Sequence, residues 1–348
     1  MSTDEIDQIT VTMLGPSLSG KTTFLLGMYS VLSAGLNNYF LHATDWDQNL
    51  DLTEAWDALV DDGLLPPPNE ADMVKPYSFV FREHLNPLLS IDWLDYRGGA
   101  LDDRLRGEDS DTRTLIARLD MSDAVYLVLD GRYLRDPVTP NTIARVRRVT
   151  KAQHMTRLLQ QTIDNRRKAD QPPPAVIILV TKADLVAEAR HPADRSVIWD
   201  QLVQDVTQVL PVCFLQGITT LVCPVMLGHF GVEETQQVDP QSVQPMGLHR
   251  PLLFSLLRYL EGIRLGLNET EAEFRREVGR RELTAANHKP SWWQRSLHLE
   301  LAEATADARK QADEIAQIAQ LASEFHERVA RELQGLAVFR DGMRIPNV

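Results

Sequence analysis

The feature that most constrains the fold of this chain is an eight-residue stretch near its amino end. Residues 15–22 read GPSLSGKT and directly follow the apolar-leaning run ITVTML. The residues after it favour a helix, because apolar side chains recur there every three or four positions. Two glycines five positions apart, followed by lysine and threonine between a strand and a helix, match the pattern G-x-x-x-x-G-K-[ST]. We therefore predict a phosphate-binding loop at the end of the first strand.

Each residue type in this loop has a physical reason. The glycines allow the backbone to curl, so that N–H groups from about Leu18 to Thr22 point at phosphate oxygens near the positive end of the following helix. We expect the Lys21 ammonium to reach the β and γ phosphates and the Thr22 hydroxyl to bind Mg²⁺. The predicted cradle consists of Gly15, Leu18, Ser19, Gly20, Lys21, Thr22 and Thr23.

Strand and helix signals alternate over most of the chain, which predicts an α/β fold with a mostly parallel sheet flanked by helices. Residues 124–130 (AVYLVLD) and 175–181 (AVIILVT) are nearly continuous apolar runs, typical of strands covered on both faces. Residues 77–83 and 88–94 flank Asn86-Pro87 and predict an antiparallel hairpin. The other predicted elements are strands at 8–15 and 218–223 and helices at 21–34, 49–61, 141–168, 194–210 and 249–265.

The composition changes near residue 267, so we predict a first domain over residues 1–266 and a helical extension over 267–348. Within the extension, residues 297–336 are rich in Ala, Glu, Gln and Arg and predict one long amphipathic helix. Its apolar positions recur every seven residues, but alanines and the polar Gln311 and Glu332 weaken that seam. The helix is expected to pack against its own domain or to form an intermolecular coiled-coil contact.

The charge balance excludes nucleic acid as a main partner. The chain has 36 Lys and Arg against 49 Asp and Glu, a net charge of −13, whereas nucleic-acid binding depends on clustered Lys and Arg. The two cysteines, Cys213 and Cys223, show no metal-binding spacing. The start of the chain is acidic, and no run approaches the roughly 20 apolar residues that span a bilayer. We expect a cytoplasmic protein without a transmembrane segment.

A second motif supplies candidate metal ligands. Residues 88–99 read LLSIDWLDYRGG and contain two carboxylates, Asp92 and Asp95. Asp95 is favoured as the second Mg²⁺ anchor, because it lies at the carboxyl end of the predicted strand and begins D-x-x-G with Gly98. The N–H of Gly98 could meet a γ-phosphate. Asp92 lies inside the strand and is the less favoured alternative.

A third motif, TKAD at residues 181–184, follows the apolar strand and predicts a purine-binding site. A carboxylate at Asp184 can accept hydrogen bonds from guanine N1–H and the 2-amino group, and adenine offers no equivalent pair of donors. The stem of Lys182 can cover the flat face of the purine while its charge stays in water. Thr181 completes the predicted base site.

In this order, GPSLSGKT, DYRG (95–98) and TKAD resemble the motifs of Ras-like P-loop GTPases of the translation-factor-related class, over about residues 8–265. The resemblance implies a Ras-like G domain, binding of GTP and GDP with Mg²⁺, slow hydrolysis and two switch segments. The wide spacing and a Pro-rich insertion look more similar to divergent bacterial GTPases of conflict or signalling operons, including double-GTPase families. That narrower resemblance implies protein partners encoded nearby or a nucleotide-dependent homodimer.

The chain departs from the family pattern around the γ-phosphate. Gly99 stands where many Ras-like enzymes place a Gln that orients the attacking water, so slow intrinsic hydrolysis is expected. Arg97, beside Arg104 and Arg106, is a candidate to stabilise phosphoryl charge, and a solvated surface is the alternative. The Pro-rich segment has no Thr to bind Mg²⁺, and Asn69 is a weak candidate.

A further departure affects the base. The family pattern implies a backbone N–H to guanine O6 from the loop after residues 218–222, where Pro224 has no N–H to donate. Cys223 or Val225 must donate, or the contact is missing.

Three functions are compatible with these residues. The first is a slowly GTP-hydrolysing switch that acts on a protein partner. The second is a nucleotide-gated scaffold with negligible hydrolysis, consistent with Gly99. The third is a P-loop ATPase in which TKAD is accidental.

Overall fold

The computed structural model describes residues 7–67, 75–84, 86–96, 109–190, 195–233, 236–262 and 323–346, together with residues 276, 310, 316 and 320. The chain divides into two compact units, Met1–Ser255 with Gln334–Val348 and Leu256–Leu333. The first unit contains the large sheet and every predicted motif.

The strands and helices of the described residues alternate through the first unit. The strands are β1 (Gln8–Leu14), β2 (Tyr39–Ala43), β3 (Lys75–Glu83), β4 (Asn86–Asp95), β5 (Ala124–Asp130), β6 (Ala175–Thr181), β7 (Thr219–Pro224), β8 (Met226–Gly228), β9 (Val243–Met246), β10 (Ala337–Arg340) and β11 (Met343–Ile345). The helices are α1 (Lys21–Ser33), α2 (Trp46–Asp62), α3 (Asp109–Met121), α4 (Ile143–Val149), α5 (Ala152–Lys168), α6 (Ala183–Arg190), α7 (Arg195–Val209), α8 (250–262) and α9 (323–332).

The main sheet has nine strands in the order β11-β10-β7-β6-β5-β1-β4-β3-β2. The five central strands, β7 to β4 in this order, are parallel. Two strands at each edge are antiparallel, β3 and β2 on one side and β10 and β11 on the other. The predicted α/β class is therefore confirmed, and the sheet is mixed because antiparallel strands extend both edges.

The order of the central strands locates the place where a ligand would bind. From β1 the chain builds β2 to β4 on one side of β1 and then β5 to β7 on the other. In open α/β sheets, a crevice forms at the carboxyl ends of the strands where the direction of winding reverses. The loop that follows β1 lies at this reversal, so the fold places the GPSLSGKT residues in the crevice.

Register brings the other motifs to the same edge of the sheet. Met13 pairs with Asp95, and Asp130 pairs with Thr181, so β1, β4, β5 and β6 all end near one another. Strands β5 and β6 are buried along their whole length, as their unbroken apolar sequences predict. The predicted hairpin is also confirmed as the antiparallel pair β3 and β4.

Several elements differ from the sequence prediction. The helix predicted over 141–168 is divided into α4 and α5, because Lys151 adopts a left-handed conformation with φ 55°. The sequence pattern does not predict the edge strands β2, β10 and β11. The last two belong to the sheet, whereas the sequence predicts a helical extension there.

The second unit is described only in part. Helix α9 buries Phe325 and Val329, which are four residues apart and share one helix face, and Leu333 directly after the helix is also buried. It confirms the amphipathic helix over that stretch, and the chain turns at Gly335, where φ is 82°. Most of the predicted helix at 297–336 lies outside the described residues. Among the helices that the structure describes, none has the length and apolar character needed to cross a bilayer.

A buried ion pair fixes the helix that follows the TKAD motif. Arg190, at the end of α6, donates to Asp205 Oδ2 of α7 at 2.6 Å, with side chains 2% and 6% exposed. Asp205 Oδ1 accepts a bond from the Val138 N–H at 2.8 Å, and Arg190 also donates to the carbonyl of Leu134 at 2.5 Å. These bonds connect α6 to α7 and to the segment after β5.

Because removal of one partner leaves the other charge buried, we expect Asp205→Ala to lower the free energy of unfolding by about 3 to 5 kcal/mol. The matched control is Asp200→Ala, which removes an exposed pair with Arg344 and should cost less than about 1 kcal/mol. Urea unfolding followed by circular dichroism measures both changes. Equal losses in the two variants would contradict the structural role of the buried pair.

Candidate functional site

The loop between β1 and α1 depends on its two glycines for different reasons. At Gly15, an added Cβ would lie 2.9 Å from Val128 Cβ, so close packing against β5 requires glycine. Gly20 has φ 85° and precedes α1 as its N-cap, a left-handed conformation that glycine adopts without strain. Leu18 is also left-handed, with φ 61°. The loop therefore curls tightly into the helix that follows.

Lys21 holds the first half of the loop. Its ammonium donates to the carbonyl oxygens of Gly15 and Pro16, both at 2.9 Å. The residue is 6% exposed, so a positive charge is buried inside the curve of the loop. A positive charge held at this position of the loop favours an anion nearby.

The end of β6 holds the second half of the loop. Thr181 Oγ1 donates to the carbonyl of Ser19 at 2.7 Å, and Lys182 Nζ donates to the carbonyl of Leu18 at 3.1 Å. The loop's carbonyl oxygens are thus bonded to side chains of Lys21, Thr181 and Lys182. Two residues of the TKAD motif therefore have a structural role in the loop.

The amide groups of the loop are arranged differently from its carbonyls. Within the part of the chain that the structure describes, the N–H groups of Leu18, Gly20 and Thr22 have no acceptor. They lie at the amino end of α1, where the helix dipole favours negative charge. The buried Ser19 hydroxyl also has no hydrogen-bond partner among the described residues. Oriented amides, a buried cation and an unpaired hydroxyl at one place are features that favour the binding of an anion.

The predicted metal ligands are in direct contact. Thr22 Oγ1 donates to Asp95 Oδ2 at 2.9 Å, and Asp95 is fully buried at the end of β4. A hydroxyl and a carboxylate next to an anion site are oxygen ligands of the type that Mg²⁺ prefers, so these residues fit the ion. Asp92, the alternative, is instead paired with Arg118 at 2.5 Å.

Asp184 lies at the start of α6, on the wall of a cavity of about 210 Å³ that also contacts the loop. Burial raises the pKa of the Asp184 carboxyl, and a hydrogen bond from its own backbone N–H acts in the opposite direction. Lys182, Val225 and Phe230 line the same cavity. A carboxylate with apolar walls and a lysine stem suits a flat heterocycle with N–H donors.

Residues Asp184, Glu188 and His229 form a separate group of potential metal ligands. Their nearest ligand atoms lie within 4.8 Å of one another, and His229 Nδ1 is 3.3 Å from Glu188 Oε1. Glu188 and His229 are exposed, whereas Asp184 is buried. Of this group, Asp184 also lines the cavity.

Asp130 is a residue of the candidate site that the sequence reasoning missed. It is 1% exposed at the end of β5, and its Oδ2 accepts bonds from Lys182 Nζ at 2.7 Å and Arg132 Nη2 at 2.8 Å. It therefore fixes the lysine that is predicted to cover the base. The sequence signal that could have identified Asp130 is that the apolar runs of β5 and β6 both end in a polar residue.

The two predicted donors to a base oxygen are occupied or buried. The Val225 N–H donates to the Val180 carbonyl at 2.9 Å, although Val225 lines the cavity. Cys223 lies within β7 opposite Leu179, and burial raises the pKa of its thiol to about 12. A contact from Val225 to a ligand would require its bond to β6 to break.

The remaining predicted site residues cannot be located at the site. Arg97, Gly98, Arg104 and Arg106 and the weak metal candidate Asn69 lie outside the described residues. Their predicted roles stay predictions. Thr23 is described and lines the cavity beside Thr22.

Comparison with models of known protein families gives no match, and no curated protein sequence matches this chain.

Replacing Asp130 should lower the stability of the protein, because two cations would lose their shared carboxylate. In Asp130→Asn, the cations Lys182 and Arg132 lose their shared buried carboxylate, and we expect the free energy of unfolding to fall by about 1 to 3 kcal/mol. The control is Asp136→Asn, because Asp136 is exposed six residues further along the same segment. Chemical unfolding of both variants checks this, and an Asp130 variant as stable as the control would contradict the role given to Asp130.

Proposed function

We propose that this protein is a P-loop GTPase that binds GTP and GDP with Mg²⁺, hydrolyses GTP slowly and acts as a switch on a protein partner. One observation carries the proposal. In residues 15–22, side chains bind the carbonyl oxygens, whereas the N–H groups of Leu18, Gly20 and Thr22 have no acceptor among the described residues. A loop so oriented at a helix amino end suits a polyphosphate. The nine-stranded sheet, with this loop at its winding reversal, is compatible with a Ras-like G domain.

The roles of the phosphate-site residues follow from their positions. Lys21 holds a positive charge inside the loop, where it would neutralise charge on the β and γ phosphates. Thr22 and Asp95 would hold Mg²⁺ through their side-chain oxygens. When bound, Mg²⁺ supplies further positive charge that offsets the phosphate oxygens. The chain thus provides both a lysine cation and backbone N–H groups that would stabilise phosphate charge at one place.

Guanine is the base that suits the cavity best. The Asp184 carboxylate can accept hydrogen bonds from N1–H and the 2-amino group of guanine, whereas adenine has no such pair of donors. Lys182 is held by Leu18 and Asp130, which leaves its stem along the cavity wall. Asp184 and Lys182 are therefore the proposed specificity residues.

Slow hydrolysis follows from the residue after the DYRG motif. Gly99 has no side chain to orient an attacking water, so the intrinsic rate should be low unless another group acts. Arg97 is the proposed candidate for that group. The same glycine favours the second function, a scaffold that binds GTP and GDP and hydrolyses almost nothing. Single-turnover measurements separate the two, since a rate close to that of free GTP would favour the scaffold.

Nucleotide binding is the most direct test of this function. Calorimetry in magnesium buffer should show binding of GDP and little binding of ADP. Lys21→Ala should weaken GDP binding by about 1.5 to 3 kcal/mol, the contribution of a hydrogen bond to a charged group. The control Lys168→Ala removes an exposed lysine of α5 and should leave affinity unchanged. Equal affinity for GDP and ADP would favour an ATPase and contradict the base assignment.

The base assignment predicts a change of specificity in Asp184→Asn. An amide side chain can donate to the 2-oxo group of xanthine, so this variant should prefer xanthosine diphosphate to GDP. Competition binding with the two nucleotides measures the preference. An unchanged preference for GDP would show that Asp184 does not contact the base.

The pH dependence of GDP binding gives an independent test. Burial raises the pKa of Asp184, so its carboxyl takes up a proton at a higher pH than the ordinary value of about 3.9. Protonation removes an acceptor for guanine, and GDP affinity should therefore fall as the pH falls through this raised pKa. The affinity of Asp184→Asn for GDP, although lower, should lack that transition. An identical transition in both proteins would assign it to another group.

A further inference from the structure

Helix α2 carries a charge distribution unlike that of any other described helix. Its acidic residues are Asp47, Asp51, Glu54, Asp57, Asp61 and Asp62, and it contains no Lys or Arg. Asp45 precedes it as the N-cap, where its side chain accepts a bond from the Asp47 N–H. The helix buries Leu52 and Leu59 on one face. The carboxylates therefore concentrate on the opposite, solvent-facing side.

Two large apolar side chains lie on the same exposed side. Trp46 is 77% exposed and Leu50 is 48% exposed. They are four residues apart, so they are neighbours on the helix surface, and Glu54 continues the same row. We call the surface formed by Trp46, Asp47, Leu50, Glu54, Asp57 and Asp61 the α2 face. It combines an apolar anchor with a line of negative charge.

This arrangement lowers the stability of the helix itself. Like charges four residues apart repel, as at Asp57 and Asp61, and carboxylates in the last turn oppose the helix dipole. An ion pair joins this helix to β3, with Lys75 Nζ 3.7 Å from Asp51 Oδ2. Within the part of the chain that the structure describes, no ion pair reaches Glu54, Asp57 or Asp61. A basic partner would relieve the repulsion that the described residues leave uncompensated.

We propose that the α2 face is the docking surface for a basic segment of a partner protein, with lysine or arginine opposite the carboxylates and apolar side chains over Trp46 and Leu50. Tryptophan is enriched among the residues that dominate binding energy, and here it is surrounded by charges that select a partner of opposite sign. The face extends for about 26 Å along a 17-residue helix. This inference goes beyond the nucleotide-binding function and does not depend on it.

A second copy of this chain is a less suitable occupant. The chain does have a basic surface, on α4 and α5, with Arg145, Arg148, Arg157 and Arg167 exposed. However, the exposed side of α5 is polar throughout and includes the acidic Asp164, so it offers no apolar group to cover Trp46. Charge and apolar complementarity together therefore favour a different protein.

The position of α2 connects this surface to the cavity. The helix ends at Asp62, and the residues after it pair with 236–238. The Leu65 N–H donates to the Gln236 carbonyl at 2.9 Å, and the Val238 N–H donates to the Gly63 carbonyl at 2.8 Å. Leu65 itself lines the cavity. A partner on the α2 face would thus contact the helix that ends at the cavity wall.

The test uses the full chain without nucleotide and a synthetic helical peptide as the probe. The peptide carries lysines at i and i+4 with two leucines on the adjacent face, and the reference peptide has glutamates in place of the lysines. Fluorescence anisotropy should show binding of the lysine peptide and none of the reference. The triple variant Glu54→Gln, Asp57→Asn, Asp61→Asn should bind about tenfold more weakly, as expected from three exposed ion pairs.

A matched triple variant separates this surface from general attraction to an acidic protein. Asp136→Asn, Asp164→Asn and Asp170→Asn remove the same charge from exposed positions elsewhere, and binding should be unchanged. Trp46→Ala should also weaken binding, because the anchor is lost. Circular dichroism should show α2 intact, since neutral side chains reduce repulsion. Equal weakening by both triple variants, or no effect of Trp46→Ala, would overturn the proposal. Self-association of the unmodified chain that the α2 triple variant abolishes would also overturn it.

Discussion

The hydrogen bonds that turn the carbonyl oxygens of residues 15–19 toward the protein are the constraint on which the site depends. A peptide group has opposite polar ends, so the bond from Thr181 that fixes the Ser19 carbonyl also fixes the direction of the Gly20 N–H. Lys21 binds the first carbonyls, and Thr181 and Lys182 bind the later ones. The ends of β1 and β6 must be close for this to occur, which the parallel register through β5 provides. The sheet topology therefore determines how the polar groups of the loop are oriented.

The central strands could be predicted from sequence because burial on both faces leaves a direct trace in composition. Residues 124–130 and 175–181 match β5 and β6 at both ends for this reason. The edge strands left no comparable trace, since β2 and β10 are short and carry mixed side chains. The break at Lys151 was also hidden, because a left-handed lysine has no sequence signature. A strand buried on both faces can be recognised from its own residues, whereas an edge strand depends on partners that are distant in the sequence.

The site could be predicted where spacing alone determines position. The loop residues are consecutive, and the two carboxylates Asp95 and Asp184 follow strand ends that the sheet brings together. The bond between Lys182 and Asp130 could not be predicted, because it joins residues 52 positions apart through the register of two strands. The hydrogen bond from the Val225 N–H to β6 could not be predicted for the same reason. Local motifs specify residue types, and tertiary pairing decides which groups remain available.

The most direct measurement of the central claim is the amide nuclear magnetic resonance spectrum of the isotope-labelled protein during titration with GDP and Mg²⁺. If the loop amides bind the polyphosphate, the resonances of Leu18, Gly20 and Thr22 should shift strongly with GDP and little with guanosine, which has no phosphate. Amides on the exposed side of α5 should not move. Shifts that are equal for GDP and guanosine, or unchanged loop resonances at saturating nucleotide, would contradict the account.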